Sequence, residues 1–175
     1  EKVDVSFTTP AGVGTADTGG FHIGTYRGGS GRFFEGLIDE VGIWNRVLRE
    51  DEVAYLAEGN PIPLPDPAKT LKDGLQASWA FEGDFSSSTF GFDGEPVNGA
   101  MISDDAKVGN GSVSFTQAEK QYVDVQNQVI ENGALAYSSA GWFKVTGGEG
   151  RRFLWGTSPS NWAVSTEVTP AGNVK

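Results

Sequence analysis

The sequence predicts an all-β protein, and three observations support this fold class. The 175 residues include 25 glycines and 8 prolines, and 11% of them are aromatic, a composition that suits many short strands joined by turns. Short segments that alternate apolar and polar residues recur along the chain. Turn-forming residues separate these segments roughly every ten residues. Together the observations predict a sandwich or a barrel of antiparallel strands.

Strands are predicted wherever the alternation is clear, and one long loop separates two groups of them. The expected strands are 3–7, 20–26, 36–44, 75–81, 111–116, 121–126, 135–145, 151–157 and 161–168. Residues 83–99 are polar and rich in glycine and serine, so they are predicted to form a loop.

The third strand is expected to be covered on both sides. Strict alternation gives two sets of residues, one per face: Leu37, Asp39, Val41 and Ile43 against Ile38, Glu40, Gly42 and Trp44. Because apolar residues occur in both sets, the two acids in this strand would be buried. A buried carboxylate needs a hydrogen-bonding partner or a cation.

A short helix is predicted directly after this strand. Glu50, Asp51 and Glu52 occupy its first turn, where the helix dipole favours negative charge. Gly59 suits the end of the helix, and Pro61 prevents its continuation. Residues 61–73 hold four prolines and are predicted to be a stiff linker.

The segment with the strand and the helix carries a family resemblance. Its sequence is FFEGLIDEVGIWNRVLREDEVAYL. This resembles the closing strand and helix of the laminin G-like (LamG) jelly roll, in the concanavalin A-like lectin/glucanase superfamily. The matching pattern is aromatic-x-Gly-x-Ile-Asp-Glu-Val-x-Ile-aromatic-Asn-Arg-x-Leu. Arg49 departs from it, because the family often has Ser or Thr there as a helix cap.

The segment after the linker is similar to the opening half of the same fold. The matching stretches are WAF at 79–81, VG at 108–109, SVSF at 112–115, QYVDV at 121–125 and GWFKV at 141–145. The family order is therefore reversed along the chain. Residues 1–60 would be the C-terminal part of one module and 74–175 the N-terminal part of the next. Alternatively, both segments form one permuted sandwich. A half-sandwich alone would expose unpaired strand edges, so it would need strands from elsewhere.

The resemblance implies a non-catalytic module of an exported bacterial protein, outside the cell or on its surface, that mediates adhesion by binding a glycan or a protein. Two alternatives stay open: a structural repeat of a surface protein or filament, which assembles with copies of itself, and an accessory module of a secreted glycoside hydrolase. The acids in IDEV do not match the E-x-D-x-x-E motif of glucanases, so no enzymatic activity is expected.

Composition excludes several other functions. The 13 basic and 23 acidic residues give a net charge of −10, which disfavours nucleic acid and anionic membranes as partners. No apolar run approaches the roughly 20 residues that span a bilayer. The chain has no cysteine, which excludes disulfides and thiolate metal sites. His22 is the one histidine and has no second His or Cys to complete a triad or a metal cluster.

Two kinds of binding site are predicted. The resemblance implies a structural Ca²⁺ where the first and last strands meet, with Asp39, Glu82 and Asp84 as its ligands. Weaker candidates for the same ion are Asp93, Asp104 and Asp105. Aromatic platforms for a sugar ring are available at Trp155, Trp162 and Tyr137, with Tyr26 as a further candidate. The alternative for each tryptophan is a place in the core.

Overall fold

The computed structural model describes residues 20–26, 29–62, 71–89, 91–131, 134, 136–157 and 165–174. These residues form ten β-strands and one α-helix. In chain order the elements are β1 (Phe21–Ile23), β2 (Gly36–Trp44), α1 (Glu50–Ala57), β3 (Leu75–Trp79), β4 (Glu95–Val97), β5 (Met101–Ser103), β6 (Ser112–Phe115), β7 (Tyr122–Val125), β8 (Ser138–Val145), β9 (Arg152–Thr157) and β10 (Ser165–Val168).

The strands form two antiparallel sheets of five. The first has the order β10-β9-β1-β7-β4. In the second, β8 runs along one edge of β2, while β3 and β6 follow one another along its other edge and β5 lies beyond β6. The predicted antiparallel sandwich with one short helix after the third predicted strand is confirmed.

Apolar side chains of both sheets meet in one core. Phe21 of the first sheet stacks on Trp79 of the second, with ring centroids 5.3 Å apart and planes 9° apart. Such an aromatic pair adds roughly 0.5–1.5 kcal/mol to the stabilisation from buried area. The core is therefore shared between the sheets.

The segments before and after the proline-rich stretch contribute to both sheets. β1 pairs with β7 and β9, and β2 pairs with β3, β6 and β8. Within the described residues, every strand partner of β1 and β2 thus follows residue 71. The division of the chain into parts of two modules stays a prediction, and most of the predicted linker, residues 63–70, lies outside the described residues.

Two short strands lie in or beside the predicted loop 83–99. β4 falls inside it and β5 follows it. Between them, Asn98 and Gly99 both have positive φ, at 56° and 82°, and the amide of Ala100 donates to the carbonyl of Val97 at 3.3 Å. This turn carries the chain from one sheet to the other. The prediction of a continuous loop is therefore wrong, and the predicted strand 3–7 lies outside the described residues.

The predicted division of β2 into two faces is also wrong. Ile38, Val41 and Ile43 all join the central core, whereas Trp44 packs in a second cluster beside the helix. Glu40 has a φ of +51°, and the register against β8 shifts between Asp39 and Gly42. This β-bulge inserts one residue into the alternation, so the residues before it exchange faces.

Candidate functional site

A cavity of the described chain lies between α1 and β8, and we call it the helix groove. Its volume is about 750 Å³. Its walls come from α1, from residues 60–62 after the helix, and from residues 138–143 of β8. Trp44, Leu56 and Ile62 pack in a small apolar cluster that attaches the helix to the sheet. The groove is therefore the space left where the helix meets the sheet beside this cluster.

The first turn of α1 is fixed by one buried acid. Glu52 is 3% exposed, and its carboxylate accepts two hydrogen bonds from the Arg46 guanidinium, both at 2.7 Å. It also accepts from the backbone amide of Arg49 at 2.8 Å. Glu52 therefore supplies the half of a capping box in which the third helical residue accepts from the amide of the N-cap residue. At the other end, Gly59 has a φ of +84°, as expected for a residue just beyond a helix.

Glu40 contributes a buried carboxyl group to the wall of the groove. It is 3% exposed, and its Oε2 accepts a hydrogen bond from the backbone amide of Ile62 at 2.6 Å. Burial raises the pKa of Glu40 to about 7; the Ile62 amide opposes this rise, and the charges of Asp39 and Glu82 add to it. The bulge thus places an acid of unusual pKa beside the cavity.

The carboxylate of Asp39 is held by backbone amides of another loop. Its Oδ2 accepts hydrogen bonds from the backbone amides of Lys107 and Val108, at 2.8 and 2.9 Å. Its buried Oδ1 has no hydrogen-bond partner within the described residues. Burial raises the pKa of Asp39; the amides of Val108, Lys107 and Glu40 lower it, and the charge of Glu82 raises it. Glu82 in turn accepts from the backbone amide of Asn110.

The residues predicted to bind Ca²⁺ therefore divide into two groups. Asp39 and Glu82 lie within electrostatic range of each other, and the bare Oδ1 of Asp39 is a suitable cation ligand. Asp84 is engaged elsewhere, because Oδ1 accepts from both the amide and the hydroxyl of Ser86. Within the described ranges, no three His, Asp or Glu residues form a group that could hold a metal. A cation at Asp39 and Glu82 would depend on backbone carbonyls, and its presence stays a prediction.

The three weaker acid candidates lie at the surface of loops. Asp93 accepts from the amide of Ser87 at 2.8 Å. Asp105 pairs with the ammonium of Lys144 at 2.6 Å, and both side chains are more than half exposed. Asp104 is exposed. All three acids are exposed to water, and none of them is placed like a metal ligand among the described residues.

The structure separates the aromatic residues proposed for sugar binding. Trp155 lines the helix groove, but it is 4% exposed and part of the central core; its indole nitrogen has no hydrogen-bond partner within the described chain. Tyr137 lines another cavity of about 300 Å³, and burial raises the pKa of its hydroxyl. Tyr26 packs against Phe153 and lies under the guanidinium of Arg32. Trp162 lies outside the described residues.

Two residues of the groove region were not predicted as site residues. Trp142 is half-buried on β8, and the ammonium of Lys107 lies 4.7 Å from the centre of its ring. Lys107 also approaches the end of α1, where a β-carbon on Gly59 would lie 3.9 Å from its Cε. The sequence signal is the adjacent pair Trp142 and Phe143, which belongs both to a predicted strand and to the family resemblance.

The single histidine packs against the neighbouring strand of its sheet. His22 is 5% exposed in β1, and its Nε2 lies 3.4 Å from a carboxylate oxygen of Asp124 on the neighbouring strand β7. Its ring lies beside that of Tyr122. His22 does not line either of the two cavities described above.

Comparison with known proteins gives one family match. Residues 2–54 match a laminin G-like family described as the concanavalin A-like lectin/glucanases superfamily. The resemblance of the N-terminal segment is therefore confirmed, while the resemblance of residues 74–175 stays a prediction. No curated protein and no solved structure gives a match. Among the described residues, no helix has the length and hydrophobicity needed to cross a membrane.

Proposed function

We propose that this chain, whose first segment is similar to concanavalin A-like lectins and glucanases, is a non-catalytic module that binds a glycan in the helix groove. The observation that carries the proposal is the groove itself. Its volume of about 750 Å³ lies within the range of roughly 300–1,000 Å³ typical of small-ligand sites.

The chemistry of the walls suits a sugar. Trp142 supplies the aromatic surface of the groove, because the adjacent Phe143 points to the other face of β8 and packs against the core. Hydroxyl, amide and carboxyl groups accompany this surface: Ser138, Asn60 and Glu40 all line the same cavity. Sugars present apolar ring faces and polar edges, so a wall that combines these groups can contact both.

The arrangement of acids supports binding in preference to hydrolysis. Glycosidases place two carboxyl groups on opposite sides of the scissile bond, roughly 5–9.5 Å apart. In the described chain, Glu40 is the one buried carboxyl group that lines the groove. Asp39 is engaged with backbone amides of residues 107 and 108 and is not part of the lining. We therefore propose a binding site without a catalytic pair.

We also propose that the module acts outside the cell or on its surface, as part of an exported bacterial protein, where glycans are the available ligands. The support is the similarity of residues 2–54 to a family that includes lectins. The net charge of −10 is consistent with an uncharged or cationic ligand, because an anionic glycan would be repelled.

A glycan array and one pair of variants test the proposal. The wild-type chain is expected to bind a defined group of glycans, and Trp142→Ala is expected to weaken this binding at least tenfold. Val145→Ala is the matched control, because Val145 lies on the same strand, is 42% exposed and does not line the groove. Both variants should melt at nearly the wild-type temperature. Absence of binding to any glycan, or equal loss in both variants, would overturn the proposal.

A further inference from the structure

We propose that the open edge of β8 is a docking site for an extended segment of a partner protein, which adds to the second sheet as a further strand. The segment lies in the helix groove and pairs with β8 through main-chain hydrogen bonds. The inference goes beyond the proposed function, because its ligand is a polypeptide. Glycan and segment share the groove, so only one of them can be bound at a time.

The first support is the pairing of β8. Its one strand partner among the described residues is β2, so no described strand lies along its opposite edge. Next to this ladder, the amide of Thr146 donates to the carbonyl of Glu35 at 3.3 Å. Antiparallel strands alternate residues that bond to the partner with residues that point away, so the even-numbered residues of β8 bond to β2. The N–H and C=O groups that face outward are those of Ser139, Gly141, Phe143 and Val145.

The second support is the contrast between β8 and the other edge strands. β4 and β5 have three residues each, β10 has four, and β4 contains Pro96. Short edge strands and prolines protect a sheet against pairing with other chains. β8 has eight residues, and none of those from 138 to 143 is charged. It is the longest edge strand of the described sheets and lacks this protection.

The third support is the course of the groove along this edge. All residues of β8 from 138 to 143 line it, so the cavity reaches both faces of the strand. Ala54 of α1 lines it on one side, and Trp155 and Thr166 of the first sheet line it on the other. The open edge is therefore recessed between the helix and the first sheet. A recess of this kind admits a single extended chain.

The walls define the chemistry of the segment, because its side chains point alternately to the helix and to the first sheet. The helix side is apolar at Val53 and Ala57. Residues 138–141 of β8 are Ser, Ser, Ala and Gly, which leave room for larger side chains on a neighbouring strand. The segment is therefore rich in β-branched residues and about seven residues long, to match an edge of roughly 20 Å. It lacks acids, since the chain carries a net charge of −10.

Amide exchange of the full chain, followed by NMR, tests the inference. The probe is the synthetic peptide Lys-Thr-Val-Thr-Val-Thr-Val-Thr-Lys, and the control is the same peptide with methylated backbone nitrogens. In the free chain, the outward amides of β8 should exchange quickly and their even-numbered neighbours slowly. The probe is expected to slow exchange of the outward amides at least tenfold. The methylated peptide should bind at least tenfold more weakly.

Two variants block the edge in different ways. Ser139→Pro removes one outward N–H and retains the bonds to β2, as edge strands allow. Ala54→Trp fills the groove from α1 and leaves β8 unchanged. Each is expected to weaken binding of the probe at least tenfold. Val145→Ala is the matched control, because it retains every main-chain group, and its affinity should equal that of the wild type.

Three results would overturn the inference: slow exchange of the outward amides in the free chain, equal binding of the two peptides, or full affinity in both blocking variants. The first would show that this chain or a second copy already covers the edge. A glycan that binds on the array while the probe does not would overturn the inference alone. Binding of the probe without binding of any glycan would overturn the proposed function alone.

Discussion

Glu52 and Glu40 lie at two ends of the same strand–helix segment and are equally buried, at 3% exposure each, yet their surroundings are opposite. Glu52 is held by the Arg46 guanidinium through two hydrogen bonds and lies near that of Arg49. Glu40 receives one backbone amide and lies beside two other acids. The two side chains are equally buried, so their electrostatic environments differ because of the groups that contact them.

The comparison indicates which acid serves the fold and which is available for binding. A carboxylate with a bidentate arginine and a backbone amide has most of its hydrogen-bonding capacity filled. Glu40 instead occupies a left-handed backbone position in a bulge, and the charged groups that act on it among the described residues are acids. Unfavourable backbone and electrostatic features of this kind occur often at functional sites.

The largest expected effect comes from removing the paired acid. Glu52→Ala should lower the free energy of unfolding by about 3–5 kcal/mol, the range observed when one partner of a buried ion pair is removed. The variant loses the Arg46 pair and the cap of α1 together. Urea denaturation followed by circular dichroism measures the change.

Glu50→Ala is the control for this prediction, since it removes an exposed acid from the same helical turn. Loss of its interaction with the helix dipole should lower stability by less than about 1 kcal/mol. Equal effects of the two substitutions would show that position in the first turn matters, and that the buried ion pair does not.

The second effect is a dependence of stability on pH through Glu40. Its pKa is 4.5 in a model compound and about 7 in the folded chain, so the folded state binds this proton more tightly. The resulting stabilisation is complete below pH 4.5 and is lost as the pH rises through about 7. It amounts to at most about 3 kcal/mol. Urea unfolding from pH 5 to pH 8 should show the decline.

Glu40→Gln isolates this contribution, because an amide retains an acceptor for the Ile62 N–H but does not titrate. The variant should lack most of the decline above pH 5 and should be more stable than the wild type at pH 8. A variant that is less stable at pH 8, with the same slope as the wild type, would contradict the assigned environment of Glu40.

The sequence predicts those features that depend on residues close together in the chain. The acidic first turn of α1, Gly59 at its end and Pro61 beyond it are neighbours in the chain, so their pattern suffices to place the helix. The bulge at Glu40 is different, because alternation of apolar residues cannot reveal one inserted residue at positive φ. The turn at Asn98 and Gly99 did have a signal, an Asn-Gly pair, but β4 and β5 are too short to show alternation.

The groove could not be predicted from sequence for a physical reason. Its walls are α1 and β8, which are distant in the chain and meet only when β8 pairs with β2. Periodicity identifies each wall but not their contact. Trp155 and Trp142 illustrate this, since both lie in predicted strands, and only the assembled sheets show that Trp155 is in the core while Trp142 is half-buried.

The predicted Ca²⁺ offers a third test, because it would bring positive charge beside Asp39, Glu40 and Glu82. With an ion bound at Asp39 and Glu82, a Ca²⁺ concentration 100 times the dissociation constant should raise the free energy of unfolding by about 2.7 kcal/mol. Thermal melting in Ca²⁺ and in excess EDTA measures this difference. Asp39→Asn should reduce it, and identical melting curves for the wild type in both buffers would exclude the ion.

The smallest expected effect concerns the chain segment between Glu52 and Ile62, whose amide donates to Glu40. Gly59→Ala should lower the free energy of unfolding by about 1 kcal/mol, because alanine is strained at a φ of +84°. An added β-carbon has room, since its nearest neighbour would be the Cε of Lys107 at 3.9 Å. The amide of Ile62 should therefore still reach Glu40, and stability should fall by the same amount at pH 5 and pH 8. A loss confined to one of these pH values would show instead that the end of α1 controls the environment of Glu40, and that the two acids are not independent.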